Sequence, residues 1–305
     1  GFKAVCTTDL IQSCVMTLSL FVVVGYGVGA AGGLDAVAAN AAALPGYLSM
    51  AATHDAAASA AVSYGPITIL STLAWGLGYF GMPHILLRFM AIEDADKLKV
   101  SRRVGTVWVV ISMAIAIFIG IVGYGMVSAG ALEGFSSASA AEAIIVSIAK
   151  LISRHGVLAA LLAGLILAGI LACTMSTADS QLLAASSSVS QNLLQDTFGL
   201  KLSQKTSMLV ARLTVVFIAI VGVLIARDPN SSIFGIVSFA WAGFGAGFGP
   251  LVICALFWKR TTFPGAVAGM VSGGVFVFIW KYLLKPMGGV WGIYELLPAF
   301  LVGLI

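Results

Sequence analysis

Charged side chains are scarce in this sequence. Only 9% of its 305 residues are Asp, Glu, Lys or Arg, whereas soluble domains usually carry about 25%. Hydrophobic residues make up 60% of the chain, and the mean hydropathy is +1.06. A soluble core cannot hide that much apolar surface, so we expect the chain to lie in a lipid bilayer. The net charge of +4 is too small to indicate a nucleic-acid partner.

Cysteine and histidine are also few, and they are scattered along the chain. The four cysteines form no CxxC pair, and the three histidines lie far apart in sequence. This spacing argues against a disulfide framework and against a zinc site. The sequence contains no phosphate-binding loop of the Gly-Lys-Ser/Thr type, and no Ser/His/Asp set or pair of carboxylates is arranged for catalysis. We therefore predict neither an enzyme nor an organic cofactor.

Long apolar runs, by contrast, are abundant. A helix needs about 20 residues to cross a bilayer, and eight runs are candidates, each bounded by charged, polar or Gly/Pro residues. The predicted spans are about 9–31, 64–91, 103–128, 156–194, 206–226, 233–258, 264–284 and 291–305. The last run is short and the first residue is Gly1, so we expect a fragment cut at both ends. The sequence thus predicts an all-α polytopic membrane protein, with 1–305 as a single transmembrane domain.

Basic side chains are divided unequally between the loops that join these spans. Loops at one end contain about twice as many Lys and Arg residues as loops at the other, and positive loops stay on the cytoplasmic side. We therefore expect a cytoplasmic (inner) membrane protein whose first residues lie on the cytoplasmic side. Its odd-numbered spans should run from the cytoplasm to the outside. Two predicted outer loops are long, at about 32–63 and 129–155. The second contains Ser139-Ala-Ala-Glu142, a capping-box pattern that predicts a short helix reaching Ile152.

The second span has the character of an interrupted helix. Three glycines and a proline fall within the eight residues from Gly76 to Pro83, and both residue types weaken a helix. Trp75, Tyr79 and Pro83 recur every four residues and would share one helix face. Transporters bind solutes beside such interruptions, and Trp and Tyr each keep a hydrogen-bond donor. Ordinary close packing between helices explains the pattern equally well.

The fourth span contains a second segment of this character, the polar run Cys173–Ser180. Four hydroxyl side chains and the carboxylate of Asp179 cluster there in an otherwise apolar helix. Hard cations prefer oxygen ligands, so the hydroxyls of Ser176 and Thr177 and the carbonyl of Cys173 are candidate sodium ligands. The alternative is that these hydroxyls bond the preceding helical turn or a neighbouring helix. Asp179 at membrane depth is a functional candidate by default.

The sixth span contains alternating glycines, in Trp241-Ala-Gly243-Phe-Gly245-Ala-Gly247-Phe-Gly249-Pro250. No strand precedes this run, so it does not fit a nucleotide-binding loop. It predicts close helix packing or a flexible gating helix instead.

Four motifs together resemble the sodium:solute symporter family, and within it the sodium/proline symporters. They are Gly1–Val5 with Thr8-Asp9-Leu-Ile-Gln12, Trp75–Ile85, Met175–Gln181, and Leu256, Arg260, Gly265, Ala266, Gly269 and Gly273. The resemblance implies an inverted five-plus-five helix repeat, of which this chain would contain part. It also implies that Trp75, Tyr79 and Pro83 line the proline site.

The resemblance further implies a sodium half-site made by the side chains of Ser176 and Thr177 with the carbonyl of Cys173. A second cation site found in some members would involve Asp9, Asp179 and Ser180, although Asp9 could instead guide sodium release. Met82 stands where Gln is expected in close proline carriers, and Cys173 stands where Ala is expected.

The function implied by this resemblance is sodium-coupled uptake of proline by alternating access. Sodium would be the co-transported ion, and the partners would be proline and the lipid bilayer. The alternatives are a sodium symporter for another small amino acid or a carboxylate, and the transporter-like sensory part of a signalling protein.

Overall fold

The computed structural model describes residues 2–227 and 232–305. Within those residues the regular structure is helical apart from one two-stranded antiparallel hairpin. The α-helices and strands are, in chain order, α1 (Phe2–Ala30), α2 (Leu34–Ala42), β1 (Ala52–Asp55), β2 (Ala60–Ser63), α3 (Pro66–Gly78), α4 (Pro83–Met90), α5 (Lys97–Ser128), α6 (Ala138–Ala141), α7 (Ile144–Ile152), α8 (Val157–Ser187), α9 (Gln204–Ile225), α10 (Ile233–Phe257), α11 (Phe263–Ile279) and α12 (Leu296–Leu304).

Six helices in the described part of the chain are long and apolar enough to cross a membrane. They are Lys3–Ala30, Lys97–Ser128, Val157–Thr197, Gln204–Ile225, Ile233–Phe257 and Phe263–Met287. Six of the eight predicted spans therefore form continuous helices. The second predicted span is divided between α3 and α4, and in the last one the helix begins at Leu296 rather than at 291. The all-α polytopic class is confirmed, and the inverted five-plus-five repeat stays a prediction.

The chain forms two compact units. The first unit comprises Gly1–Leu44 and Asp96–Ser231, and the second comprises Pro45–Ala95 and Ser232–Ile305. The prediction of a single transmembrane domain over 1–305 stays a prediction.

In the first unit α1 packs along α8 and α5. The buried core between them contains Val23, Val122 and Ile166. Ser19 is buried on α1 and donates a hydrogen bond to the carbonyl of Leu165 on α8 at 2.9 Å. Close approach at this point requires a glycine, because a Cβ at Gly169 would overlap the Ser19 hydroxyl.

The short helix predicted before Ile152 is present, but its cap is not the predicted residue. The run is divided into α6 and α7, and Ser137 caps α6 by accepting a hydrogen bond from Ala140 N at 3.1 Å. The capping-box reading of Ser139 and Glu142 is therefore wrong. Ser137 lies two residues before Ser139 and has the same three-residue spacing to a backbone N–H, that of Ala140. Ser137 is the residue that caps the helix.

In the second unit α10, α11 and α12 pack closely, and glycines make this possible. A Cβ built at Gly273 of α11 would overlap the carbonyl oxygen of Ala246. A Cβ at Gly269 would lie 2.6 Å from the carbonyl oxygen of Gly303, and one at Gly249 would lie 2.5 Å from the Phe300 ring. The glycine-rich run of the sixth predicted span thus serves close helix packing, as its pattern predicted.

The β-hairpin in the second unit was not predicted. Strands β1 and β2 pair antiparallel, with Thr53 opposite Val62. Asp55 closes the turn by accepting hydrogen bonds from Ala57 N and Ala58 N at 2.9 and 3.3 Å. The Ala-rich sequence of this loop lacks the alternation of β-branched and polar residues that predicts a strand.

Candidate functional site

The helix of the second predicted span is interrupted where the sequence predicted it. The α3 helix ends at Gly78, Tyr79–Gly81 form a 3₁₀ turn, and Met82 is extended with φ −82° and ψ 108°. Pro83 then begins α4 at its first turn. Proline disfavours the α conformation in the residue before it, which explains why the chain leaves the helix at Met82. The interruption is thus a local consequence of sequence.

The interruption is seated against α10 of the same unit. A Cβ at Gly78 would overlap the Trp241 indole, and one at Gly81 would overlap the carbonyl oxygen of Phe244. From the other side, a Cβ at Gly245 would lie 2.8 Å from the Cα of Gly78. The glycines of the interruption and the glycines of α10 therefore face each other, and they let two backbones approach directly.

Two of the three predicted solute-site residues belong to one aromatic group. The Trp75 ring is half-buried and stacks with Phe234, Trp241 and Tyr294, at centroid distances of 5.5, 5.9 and 5.6 Å. The Tyr79 ring meets the edge of Trp241 at 4.8 Å and is 56% exposed. Trp75 is thus mainly a packing residue within this unit, whereas Tyr79 presents most of its ring outward.

Pro83 lies on the other side of the 3₁₀ turn, half-buried at the start of α4. The structure brings Trp75 and Tyr79 together through Trp241, and it places Pro83 at the point where the backbone turns. Their role toward a solute stays a prediction.

Sequence reasoning missed three members of the aromatic group: Phe234, Trp241 as a contact of Trp75, and Tyr294. They come from α10 and from the residue two before α12. One signal existed, because buried Trp and Tyr donors need partners. No periodicity links residues that lie 166 positions apart, as Trp75 and Trp241 do.

The second candidate segment, on α8, is not interrupted. The helix runs unbroken from Val157 to Ser187, so the expectation of irregular backbone at Cys173–Ser180 is wrong. Hydroxyls there donate to the preceding turn: Thr174 to Ile170 O at 3.1 Å, Thr177 to Cys173 O at 3.4 Å and Ser180 to Ser176 O at 3.1 Å. These bonds let polar side chains sit on an apolar helix without breaking it.

The regular helix sorts the predicted cation ligands onto two faces. Cys173 and Thr177, four residues apart, are both exposed on the first unit. Ser176 is half-buried and Ser180 is 7% exposed, also four residues apart on a more buried face. Asp179 is half-buried, as is Asp9 on α1, the helix that packs along α8. The helix thus separates Ser176 from the other two predicted sodium ligands, Cys173 and Thr177, and places it on the same face as Ser180. Both cation sites stay predictions.

The chain is similar in sequence to known transport proteins over most of its length. Residues 1–273 match the family model described as the sodium:solute symporter family. The chain is similar to the osmoregulated proline transporter of Bacillus subtilis (strain 168), with 35% identity over 305 residues, covering 100% of this chain and 58% of the relative. It is 37% identical to the sodium/proline symporter of Haemophilus influenzae, covering 98% of this chain and 58% of the relative.

It is also 39% identical to the sodium/proline symporter of Staphylococcus aureus over 245 residues, covering 78% of this chain and 46% of the relative. The chain thus spans about half the length of the curated relatives it matches. No solved structure gives a significant match. The family model covers most of the chain, including the interrupted helix, the α8 hydroxyl cluster and the glycines of α10 and α11. This chain belongs to the sodium:solute symporter family, and it is a multi-pass membrane protein.

Proposed function

We propose that this protein couples the uptake of proline to the entry of sodium. The observation that carries the proposal is the similarity of nearly the whole chain to proline carriers, at 35% and 37% identity. The whole activity remains a proposal because the chain spans 58% of the length of those carriers.

The interruption between α3 and α4 supports the solute half of the proposal. Proline combines the apolar methylene groups of its ring with a charged ring nitrogen and a charged carboxylate. The exposed ring of Tyr79 and the indole of Trp75 would contact the apolar ring, with Pro83 at the edge of the site. The first turn of α4 opens at the interruption, and a helix N-terminus favours an anionic group such as the solute carboxylate.

The hydroxyl cluster of α8 supports the sodium half. Ser176, Thr177 and the carbonyl of Cys173 supply oxygen, which hard cations prefer. The Thr177 hydroxyl donates its hydrogen to Cys173 O, and its oxygen lone pairs stay available to a cation. Asp9, Asp179 and Ser180 would form a second cation site or a path for sodium release.

Alternating access would couple the two events. Sodium bound at α8 would favour the state that binds proline, and linkage requires proline to favour sodium by the same factor. The membrane potential contributes about 2.3 kcal/mol per sodium charge for each 100 mV, which can drive accumulation without ATP.

One observation favours a second candidate, a sodium symporter for another small amino acid or a carboxylate. Met82 is 3% exposed and occupies the extended position of the interruption. An apolar side chain stands there where close proline carriers are expected to have an amide. A solute that needs no amide partner at this position would fit equally well.

The test is uptake of labelled proline into membrane vesicles that contain the protein expressed from its complete gene. Uptake should require an inward sodium gradient, and a potassium gradient of equal size should not replace it. Trp75→Ala and Tyr79→Ala should raise the apparent KM for proline. Competition by unlabelled amino acids and carboxylates separates the two candidates, because a better competitor than proline would identify the second. Uptake that is indifferent to sodium would refute both.

A further inference from the structure

A buried carboxylate lies immediately before α12. Glu295 is 1% exposed. Its Oε2 accepts a hydrogen bond from Lys285 Nζ at 2.7 Å, and its Oε1 lies 3.9 Å from Lys281 Nζ. Burying an ionised carboxylate is costly unless cations compensate it. A negative charge next to the first turn of α12 also suits the positive end of the helix dipole.

Both lysines lie in the segment between α11 and α12. The ion pairs therefore link the start of that segment to its end at Glu295. Lys281 also lies over the ring of Phe239 on α10, with Nζ 4.0 Å from the ring centroid. The indole of Trp280 donates to the carbonyl oxygen of Ile293 at 3.1 Å. Charge, ring and backbone contacts therefore hold Ile293–Glu295 in one place against α10.

Tyr294, the residue before Glu295, contacts the interrupted helix directly. Its backbone N–H donates to Ser71 Oγ at 2.9 Å, and its hydroxyl donates to the carbonyl oxygen of Ser238 at 2.6 Å. Its ring stacks on Trp75 with 15° between the planes and 5.6 Å between the centroids. Ser71 and Trp75 are one turn apart on α3 and share a helix face. Tyr294 thus contacts both the Trp75 ring and the Ser71 side chain of α3, the helix that ends at the interruption.

We propose that Glu295 is a positioning residue for the solute site. Its ion pairs with Lys285 and Lys281 hold Tyr294 where the tyrosine sets the orientation of the Trp75 ring and of the last turns of α3. The inference rests on the proposed function, because it takes Trp75 as part of the proline site. Glu295 itself contacts no solute in this scheme, and it acts through Tyr294.

The first test is Glu295→Gln in the protein expressed from its complete gene. The amide keeps the size of the side chain and removes the charge that the lysines compensate. We expect the apparent KM for proline to rise about fivefold or more, while the maximal rate per transporter and the half-saturating sodium concentration stay within about twofold. The matched control is Glu133→Gln, an exposed carboxylate of the first unit, which should change none of these values.

Ser71→Ala tests the same connection without disturbing a buried charge, and it decides the question if Glu295→Gln fails to fold. It removes the acceptor of the Tyr294 N–H and should raise the KM in the same direction. A normal KM with a lower maximal rate or lower abundance in these variants would mean that the cluster serves stability alone, and that result overturns the proposal.

A spectroscopic measurement separates this inference from the proposed function. In protein labelled with 5-fluorotryptophan, the ¹⁹F resonance of Trp75 is assigned by its loss in Trp75→Phe. This resonance should shift in Glu295→Gln and not in Glu133→Gln, whatever the solute is. An unmoved resonance overturns the positioning role. Absence of sodium-dependent proline uptake by the unaltered protein would instead refute the proposed function, and with it the link from Trp75 to proline.

Discussion

The indole Nε1–H of Trp241 donates a hydrogen bond to the backbone carbonyl oxygen of Trp75, with 3.1 Å between nitrogen and oxygen. The bond ties α10 to the last turn of α3, where helical carbonyls need partners from outside the helix or from a tighter turn. The same indole lies against Gly78 and meets the ring of Tyr79. Together with its stacking on the Trp75 ring, these contacts let a single side chain stabilise the interrupted helix.

Replacing Trp241 by Phe should weaken the contact between α10 and the interrupted helix. The variant keeps a ring beside Tyr79 but loses the N–H donor, and a lost hydrogen bond costs about 0.5–1.5 kcal/mol. We expect a lower unfolding temperature of the purified protein and a higher apparent KM for proline. Trp108→Phe is the control, because Trp108 is 38% exposed on α5 in the first unit. Equal effects in the two variants would contradict the assigned role.

Glycine 81 should not tolerate a side chain. A Cβ there would overlap the carbonyl oxygen of Phe244, which is backbone and cannot swing aside. Overpacking costs about 1–3 kcal/mol, so Gly81→Ala should lower the amount of folded protein and its proline uptake. Gly76→Ala, five residues earlier on α3, is the control, since nothing lies within 4 Å of its Cβ position.

Normal uptake by Gly81→Ala would contradict the close contact between Gly81 and the carbonyl oxygen of Phe244. A loss of uptake in Gly76→Ala as well would mean that helix flexibility, rather than contact, matters at these glycines.

Substitutions of two threonines of α8 distinguish sodium binding from ordinary hydrogen bonding within the helix. Thr174 and Thr177 are both exposed, and both donate to the carbonyl four residues earlier. Only Thr177 belongs to the proposed sodium set. If its oxygen contributes about 1.4 kcal/mol to sodium binding, Thr177→Ala should raise the half-saturating sodium concentration about tenfold.

Thr174→Ala should leave the sodium dependence of proline uptake unchanged. The measurement is initial uptake as a function of sodium at saturating proline. Indistinguishable curves for the two variants would remove Thr177 from the sodium site.

Neighbouring glycines of α11 test the packing of the second unit. A Cβ at Gly273 would overlap the carbonyl oxygen of Ala246, whereas nothing lies within 4 Å of a Cβ at Gly274. Gly273→Ala should therefore destabilise the protein by about 1–3 kcal/mol, and Gly274→Ala should be neutral or slightly stabilising because alanine favours a helix. Unfolding temperatures measured in the same detergent compare the two variants, and the opposite order would refute the close contact between Gly273 and Ala246.

The sequence predicted well those features that depend on neighbours in the chain. The break at Met82 follows from Pro83, and the membrane helices follow from uninterrupted apolar runs. Prediction failed where local signals compete. Ser137 and Ser139 each have the spacing of a helix cap, and Ser137 is the residue that caps α6. The polar run of α8 stays helical because its hydroxyls donate to the preceding turn.

The prediction also failed where a pattern was absent, as in the Ala-rich hairpin Ala52–Ser63. The candidate solute residues could be named from spacing, but their surroundings could not. Trp75 stacks on Tyr294, and the two lie more than two hundred positions apart in the chain.

Composition and local chemistry alone settled that this chain forms apolar helices, that one of them is interrupted at a Gly/Pro segment, and that hydroxyl side chains cluster on another. These properties depend on residues within a few turns of each other. Tertiary structure decided that Trp241 seats the interruption, that Tyr294 stacks on Trp75, and that Glu295 is buried between two lysines. Such contacts arise only when distant segments pack, because burial, ring stacking and charge compensation depend on distance in space and not on spacing along the chain.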